Sequence, residues 1–265
     1  MKKSPSKRHP VGAEVVYGLR AGLAVFERHP SKIIRIAFHR ETRRHLTNLE
    51  RWASAHRIPY VEVSDDELNG ISGAKNHEGL CLETEPRSWA TPQEFADMLV
   101  RTKGTAIALE RIRNPYNIGA ILRSAAFFGL DAALLGAPAP HPGLPADAVR
   151  VAEGGAEQLE FARTTDLPDT LGRLRAKGIT VIGAESEAPA NAIGFSYRRP
   201  VVVVLGHERD GLSERAKAQC DALVAIPGLS SVRSLNVSVA ASVLLAEVVR
   251  DRLMQGLGRQ SVPKK

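Results

Sequence analysis

The chain has 265 residues, 43% of them hydrophobic and 25% charged, the balance of a globular protein with material for one large domain or two ordinary ones. No apolar run approaches the roughly 18 residues needed to cross a bilayer. The basic start "MKKSPSKRHP" has no apolar stretch behind it to make a secretory leader. Two cysteines without CxxC spacing, Cys81 and Cys220, argue against a disulfide framework or a metal site and for a reducing cytoplasm. The net charge of +7 is uneven: residues 1–57 hold 13 Lys or Arg against 4 Asp or Glu, which is +9 and leaves −2 for the rest. Such a distribution is the footprint of a polyanion partner, most often nucleic acid.

A basic tail, expected to be disordered, covers residues 1–10. In "GAEVVYGLRAGLAVFERHP" the residues Val15, Leu19, Leu23 and Phe26 have helical spacing, and His29-Pro30 stops the helix. "KIIRIAF" reads as a strand, "ETRRHLTNLERWASAHR" as a basic amphipathic helix and "PYVEV" as a strand. "SDDELNGISG" follows as a short capped helix and "GLCLETE" as a third strand. "PRSWATPQ" reads as a linker, and "PQEFADMLVRT" as a helix leading out of it. From residue 104 the strands "TAIALE", "DAALLG", "GITVIGA", "PVVVVLG" and "ALVAIP" are apolar throughout, as in a parallel sheet covered on both faces. Ligands of such sheets sit at the carboxyl ends of the strands. The loops after Glu110, Leu205 and Ile226 are therefore where chemistry belongs.

In the first of these loops, "NPYNIGAILRSAAFFG", Asn117 reads as a helix cap and Gly119 as a point of close approach. Arg123 lies among Ile121, Leu122, Ala125 and Ala126, where a guanidinium needs an anionic partner or a polar cavity. In "VVLGHERDGLS" a strand runs into Gly206, Glu208 and Gly211, and Ser213 reads as a cap. In "IPGLSSVRSLNVSVAA" either Ser234 or Asn236 caps a long apolar helix. Neither a phosphate loop nor a GxGxxG fingerprint is present.

Together and in this order, the three stretches resemble the signature motifs of the SpoU-TrmH family of RNA ribose 2′-O-methyltransferases, members of the SPOUT superfamily. "VRVAEGGAE" is similar to the family's Arg-x-x-x-Gly segment, and "KNHEGLCL" stands where its N-terminal domain reads His-Gln-Gly. The resemblance implies an α/β chain with a C-terminal SPOUT-type parallel sheet and deep trefoil knot. A small α/β substrate-binding domain of ribosomal-protein type would precede it. It implies an RNA-binding domain at 11–85, a linker and connecting helix at 86–103, a methyltransferase domain at 104–256 and a tail at 257–265.

The resemblance also implies S-adenosylmethionine as methyl donor, a structured rRNA or tRNA as substrate and a homodimer through the knot domain, with no metal and no membrane. Arg123, Glu208, Asn236 and Asn117 are the implied catalytic residues. Leu205, Gly206, Ile226, Pro227, Ser234 and Leu235 would hold the cofactor, and Arg35, Arg43, Arg44, Arg123 and Arg150 would touch RNA. The third motif departs from the family: its glycine, Gly228, directly follows Pro227, and Ser230 holds the usual glycine position. Glu153 stands where a small residue is usual. The alternative these departures leave is a weak or inactive RNA-binding relative.

Overall fold

Residues 12–232 and 234–256 are described by a computed structural model. The tails expected at 1–10 and 257–265, and Arg233, lie outside the described residues. In chain order the elements begin with β1 (Glu14–Tyr17), α1 (Leu19–Arg28), β2 (Ile33–His39), α2 (Thr47–His56), β3 (Tyr60–Val63), α3 (Asp65–Ser72) and β4 (Leu80–Thr84). They continue with α4 (Pro92–Thr102), β5 (Thr105–Glu110), α5 (Pro115–Phe127), β6 (Ala132–Gly136), α6 (Ala146–Val151), β7 (Glu160–Thr164) and α7 (Leu167–Ala176). The last are β8 (Thr180–Ala184), β9 (Ala190–Asn191), β10 (Val201–Leu205), α8 (Glu214–Lys217), β11 (Ala222–Ala225) and α9 (Val237–Met254). Two units result, one built from the chain up to Ser88 together with Leu144–Glu157, the other from Trp89–Gly143 and the chain after Glu157.

The first unit carries a sheet of order β1-β4-β2-β3, in which β4 runs antiparallel to both its neighbours and β3 parallel to β2. One correction concerns its start. Val15 belongs to a strand, because Gly18 at φ 103 separates β1 from α1. A second concerns the basic helix, whose first part, Arg40–His45, is a 3-10 turn ahead of α2. Ser64 caps α3 reciprocally with Glu67, as its sequence suggests. In "KNHEGLCL" the His77 ring is buried and accepts the Gly79 N–H at 3.1 Å, so that motif builds a turn. Both cysteines are free, and burial pushes each thiol up to about 12, so neither is a nucleophile at neutral pH.

Residues 144–157 join this unit through a row of polar pairs. The buried Tyr17 hydroxyl donates to Asp147, Arg150 pairs with Glu78 at 3.4 Å, Arg20 with Glu153, and Arg87 with Glu157. The glycines are tight here: a Cβ on Gly18 would stand 2.8 Å from the Arg150 side chain, and one on Gly154 (φ +89) 2.8 Å from Ala24. Glu153, where the family has a small residue, takes φ 47 and earns its place through Arg20. Tyr17→Phe is expected to lower stability by about 1–3 kcal/mol, read from the urea midpoint, by leaving Asp147 without its donor. Burial first, then Asp147, raises the phenol pKa. The native state thus favours the neutral ring, and this contribution holds below about pH 10 and fades above it.

The second unit is a sheet of order β7-β6-β5-β10-β8-β11-β9 whose pairings are all parallel. The five residues of β10, VVVVL, are all buried. Ala106, Ala108, Val202 and Val204 pack with Phe95 and Leu99 of α4 and Leu171 and Leu174 of α7, while the alternate residues Ile107, Ile182 and Val203 are buried as well. Burying each Val or Leu contributes roughly 1.5–3 kcal/mol, so both faces drive the sheet to form. The expected linker is not a free tether: Ala90 N donates to Phe161 O at 2.7 Å beside β7, and Thr91 and Glu94 form the capping box that starts α4. Helices α5 and α9 pack on one another.

Candidate active site

The carboxyl ends of β5, β10 and β11 bring the three loops together. At the first, Asn114 is the cap of α5, its side chain accepting Tyr116 N at 2.9 Å, and Pro115 takes the first helical position. Asn117, expected to cap, lies three residues further in and is free to reach across. Its Nδ2 donates to Glu208 Oε1 at 3.0 Å, and its Oδ1 accepts from Asn236 Nδ2 at 3.2 Å. Asn236 in turn caps α9, its Oδ1 accepting Ser238 N at 2.8 Å and Ser238 Oγ at 2.6 Å.

This chain of bonds sets the orientation of both amides. Ser238 N–H can only donate, so Asn236 must turn its oxygen to the helix and its NH2 to Asn117. Asn117 then accepts with its oxygen and has only its NH2 left for the Glu208 carboxylate. The helix end thereby dictates which group faces Glu208. The Glu208 side chain is 25% exposed and has its second oxygen 3.9 Å from His207 Nε2, while His207 Nδ1 lies 3.1 Å from Asp210. His207 and Ser238 escaped the sequence reading, although Asn-x-Ser at a helix start was a readable signal for the second.

Arg123 differs from expectation. It is exposed, because Ile121, Leu122 and Ala125 point into the core and leave Tyr116, Ala120, Arg123 and Phe127 along the outer stripe of α5. The cavity that a buried guanidinium would need is not the reason for its position.

Gly206 has a reason within the chain itself. A Cβ there would stand 2.2–2.3 Å from the backbone of Gly211 and Leu212, because His207 and Gly211 pair through two backbone hydrogen bonds of 3.0 and 2.9 Å. The glycine lets the loop fold onto its own strand and so places Glu208. Gly206→Ala is expected to cost at least about 2 kcal/mol, since backbone would have to move, and thermal denaturation reads it. Leu205 is buried, Ile226 half-buried, and Pro227, Ser234 and Leu235 exposed. Among the described residues, the backbone of 226–235 makes no backbone–backbone hydrogen bond, and Leu229, Val232 and Leu235 are exposed. Apart from Val232 N, which donates to Ser230 Oγ at 3.2 Å, the loop's described amide and carbonyl groups stay outside backbone pairing, beside apolar side chains.

The basic residues divide. Arg43 and Arg44 are exposed, Arg43 lying 3.2 Å from Glu50 and 3.3 Å from Glu62. Arg35 is instead paired across strands with the buried Glu83, and Arg150 is enclosed beside Glu78 and Gly18, so both are committed to the first unit's own packing.

Against known families, residues 104–246 match the SpoU rRNA Methylase family, and residues 15–90 match the family described as RNA 2′-O ribose methyltransferase substrate binding. The chain belongs to the SpoU family. It is 34% identical to the uncharacterized tRNA/rRNA methyltransferase YfiF of Escherichia coli O157:H7, over 88% of this chain and 66% of that one. It is 33% identical to an uncharacterized tRNA/rRNA methyltransferase of Mycolicibacterium vanbaalenii, over 88% and 73% of the two. The chain thus spans about two thirds to three quarters of these relatives' lengths. Among solved structures, the SpoU methyltransferase AviRb of Streptomyces viridochromogenes in complex with AdoMet superposes with a TM-score of 0.73 at 23% identity, covering 92% of this chain and 91% of that one. An AdoMet-bound rRNA methyltransferase of Sinorhizobium meliloti does so with 0.75 at 23% identity, over 91% and 88%. These likenesses show the SpoU methyltransferase fold, with its small N-terminal domain. Among the described residues no helix is long and apolar enough to cross a membrane, and no cluster of metal-ligating side chains occurs.

Proposed function

We propose that this chain methylates a ribose 2′-hydroxyl of rRNA or tRNA, with S-adenosylmethionine as methyl donor. The observation that carries the reading is the hydrogen-bonded series Asn236–Asn117–Glu208, one residue from each strand-end loop. The loop 226–235 suits the cofactor: its open amides and carbonyls match the hydrogen-bonding edge of an adenine, and Ile226 and Leu235 its faces. Leu205 and Pro227 would wall the site, and Ser234 stands at its rim. When bound, the sulfonium supplies an electrophilic methyl group.

The chain's own work is positioning and charge. Ribose hydroxyls are poor nucleophiles at neutral pH, and a guanidinium is a poor base, always protonated in proteins. Arg123 therefore holds the substrate phosphate and the charge that builds on the ribose oxygen. Glu208, held by Asn117, orients that guanidinium and the sugar. Arg43 and Arg44 bind the RNA backbone, and such contacts give salt-sensitive, sequence-independent affinity.

A second copy of the chain belongs to the same reading. Tyr116 (51%) and Phe127 (82%) on α5, and Val239 (48%), Leu253 (57%) and Met254 (78%) on α9, leave apolar surface exposed on two helices that pack together. A partner covering that face would also enclose Arg123, which lies on the same stripe as Tyr116 and Phe127. Light scattering is expected to give twice the chain mass. The trefoil knot belongs here too, supported by the insertion of β10 between β5 and β8. Calorimetric titration with S-adenosylmethionine tests the reading: one site per chain with micromolar affinity is expected. Absence of binding, with RNA affinity retained, would reduce the chain to an RNA-binding relative of the family.

A further inference from the structure

A cavity of about 320 Å³ opens where β5, β6 and β7 end, beside Glu110, Gly136 and Thr165. It is separate from the Asn236–Asn117–Glu208 series, which uses the ends of β5, β10 and β11. Its apolar lining comes from Ala137, Pro138, Leu167 and Pro168, and its basic lining from Arg111, Arg113 and Arg215.

The acids of this cavity are already engaged. Glu110 is buried and accepts Ser213 N at 2.8 Å and Ser213 Oγ at 2.6 Å. Asp166 accepts Arg215 at 2.9 and 3.3 Å and the Asp169 N–H at 3.1 Å, which hold its carboxyl below the usual range, the backbone bond first. The cations are less well matched. Arg111 sits at φ 59, donates to the Gly211 carbonyl at 3.5 Å, and has a buried Nε that makes no hydrogen bond but lies 4.0 Å from Glu110 Oε1. Arg113 is exposed and makes no ion pair or hydrogen bond among the described residues. Non-glycine residues with positive φ mark strain, and strain gathers at binding sites.

Apolar lining beside Arg113, a cation without a partner among the described residues, fits a nucleotide: base and sugar on Pro138 and Leu167, phosphate on Arg113 with Arg111 beside it. The volume lies at the small end of ligand pockets, which run from about 300 to 1,000 Å³, the size of a single nucleotide. Arg113 precedes Asn117 by four residues in the same loop. We infer that the cavity is a second RNA subsite, which holds a nucleotide flanking the one presented to Arg123. The inference rests on the methyltransferase reading above and extends it to how the substrate strand is held.

The test measures binding of a fluorescein-labelled single-stranded RNA dodecamer of mixed sequence to the full chain and to two variants, with S-adenosylmethionine titrated into each. Arg113→Glu removes an exposed side chain without partners and cannot plausibly unfold the chain. It should weaken RNA binding at least about tenfold and lower the salt slope by about one. Ala137→Trp fills the cavity without changing charge and should weaken binding to a similar degree, with melting temperature and cofactor affinity unchanged. RNA binding by both variants at the wild-type level, with cofactor binding intact, would overturn the subsite alone. Weakening by Arg113→Glu without weakening by Ala137→Trp would also overturn it, leaving surface charge as the cause. Free uridine monophosphate binding as tightly as the dodecamer would replace the RNA with a free nucleotide and overturn it too. A wild-type chain that takes neither RNA nor cofactor would remove the functional reading beneath it.

Discussion

Arg123→Ala is expected to abolish methyl transfer while leaving the protein folded. The side chain is exposed on the outer stripe of α5, and its neighbours in the core, Ile121, Leu122 and Ala125, are untouched by the change. Exposed substitutions of this kind usually cost less than about 0.5 kcal/mol. The catalytic loss should be far larger. Removing one preorganised donor from a developing oxyanion typically costs about 10²–10³ in kcat, and Arg123 is asked to hold phosphate and oxyanion together. Cofactor affinity should not change. Arg123→Lys should recover only part of the rate, because an ammonium keeps the charge without the planar fork that grips two oxygens. Rates come from transfer of a labelled methyl group, and folding from the melting curve. A fall in melting temperature that tracks the loss of rate would mean that Arg123 serves the fold.

Asn236→Asp separates the two tasks of one residue. Aspartate caps a helix as well as asparagine does, so the Ser238 N–H keeps its acceptor and α9 its start. The second oxygen, however, cannot donate to Asn117. To meet it, Asn117 must turn its NH2 toward residue 236 and its oxygen toward Glu208, which places two acceptors face to face where a 3.0 Å hydrogen bond now stands. Stability should stay within about 0.5 kcal/mol of wild type, while kcat falls about a hundredfold as Glu208 loses its orientation. Asn236→Ala should add the loss of the cap, about 1 kcal/mol. Equal rates for Asn236→Asp and wild type would reduce Asn236 to a cap.

Much of this was legible in the sequence, for reasons that differ from residue to residue. The loops that hold Asn117, Glu208 and Asn236 stood out because each follows an apolar strand, and parallel sheets put such loops at one edge, while the resemblance to the SpoU-TrmH motifs singled out the three residues themselves. The strands from β5 onward were readable from their uniform apolarity. β7 was not: "EFART" mixes Glu160 and Arg163 with apolar residues, as an outer strand of a sheet can. The phase of α5 was hidden by composition, since Arg123 follows Ile121 and Leu122 and stands one serine ahead of Ala125 and Ala126, and only the helical stripe shows it facing out. Asn117 was mistaken for a cap although Pro115 marks the first turn and so points to Asn114. The alliance of 144–157 with the first unit could not be read at all, because Tyr17 and Asp147 are 130 residues apart. Periodicity reports local structure and carries nothing about such pairs.

One measurement tests the central claim most directly. The chain is incubated with S-adenosylmethionine labelled in its methyl group and with unmodified rRNA and tRNA, the RNA is digested to nucleosides, and mass spectrometry locates the label. The expected result is label on the ribose as a 2′-O-methyl nucleoside, lost in Arg123→Ala. Label on a base, or none from a wild-type chain shown to bind both cofactor and RNA, would contradict the account.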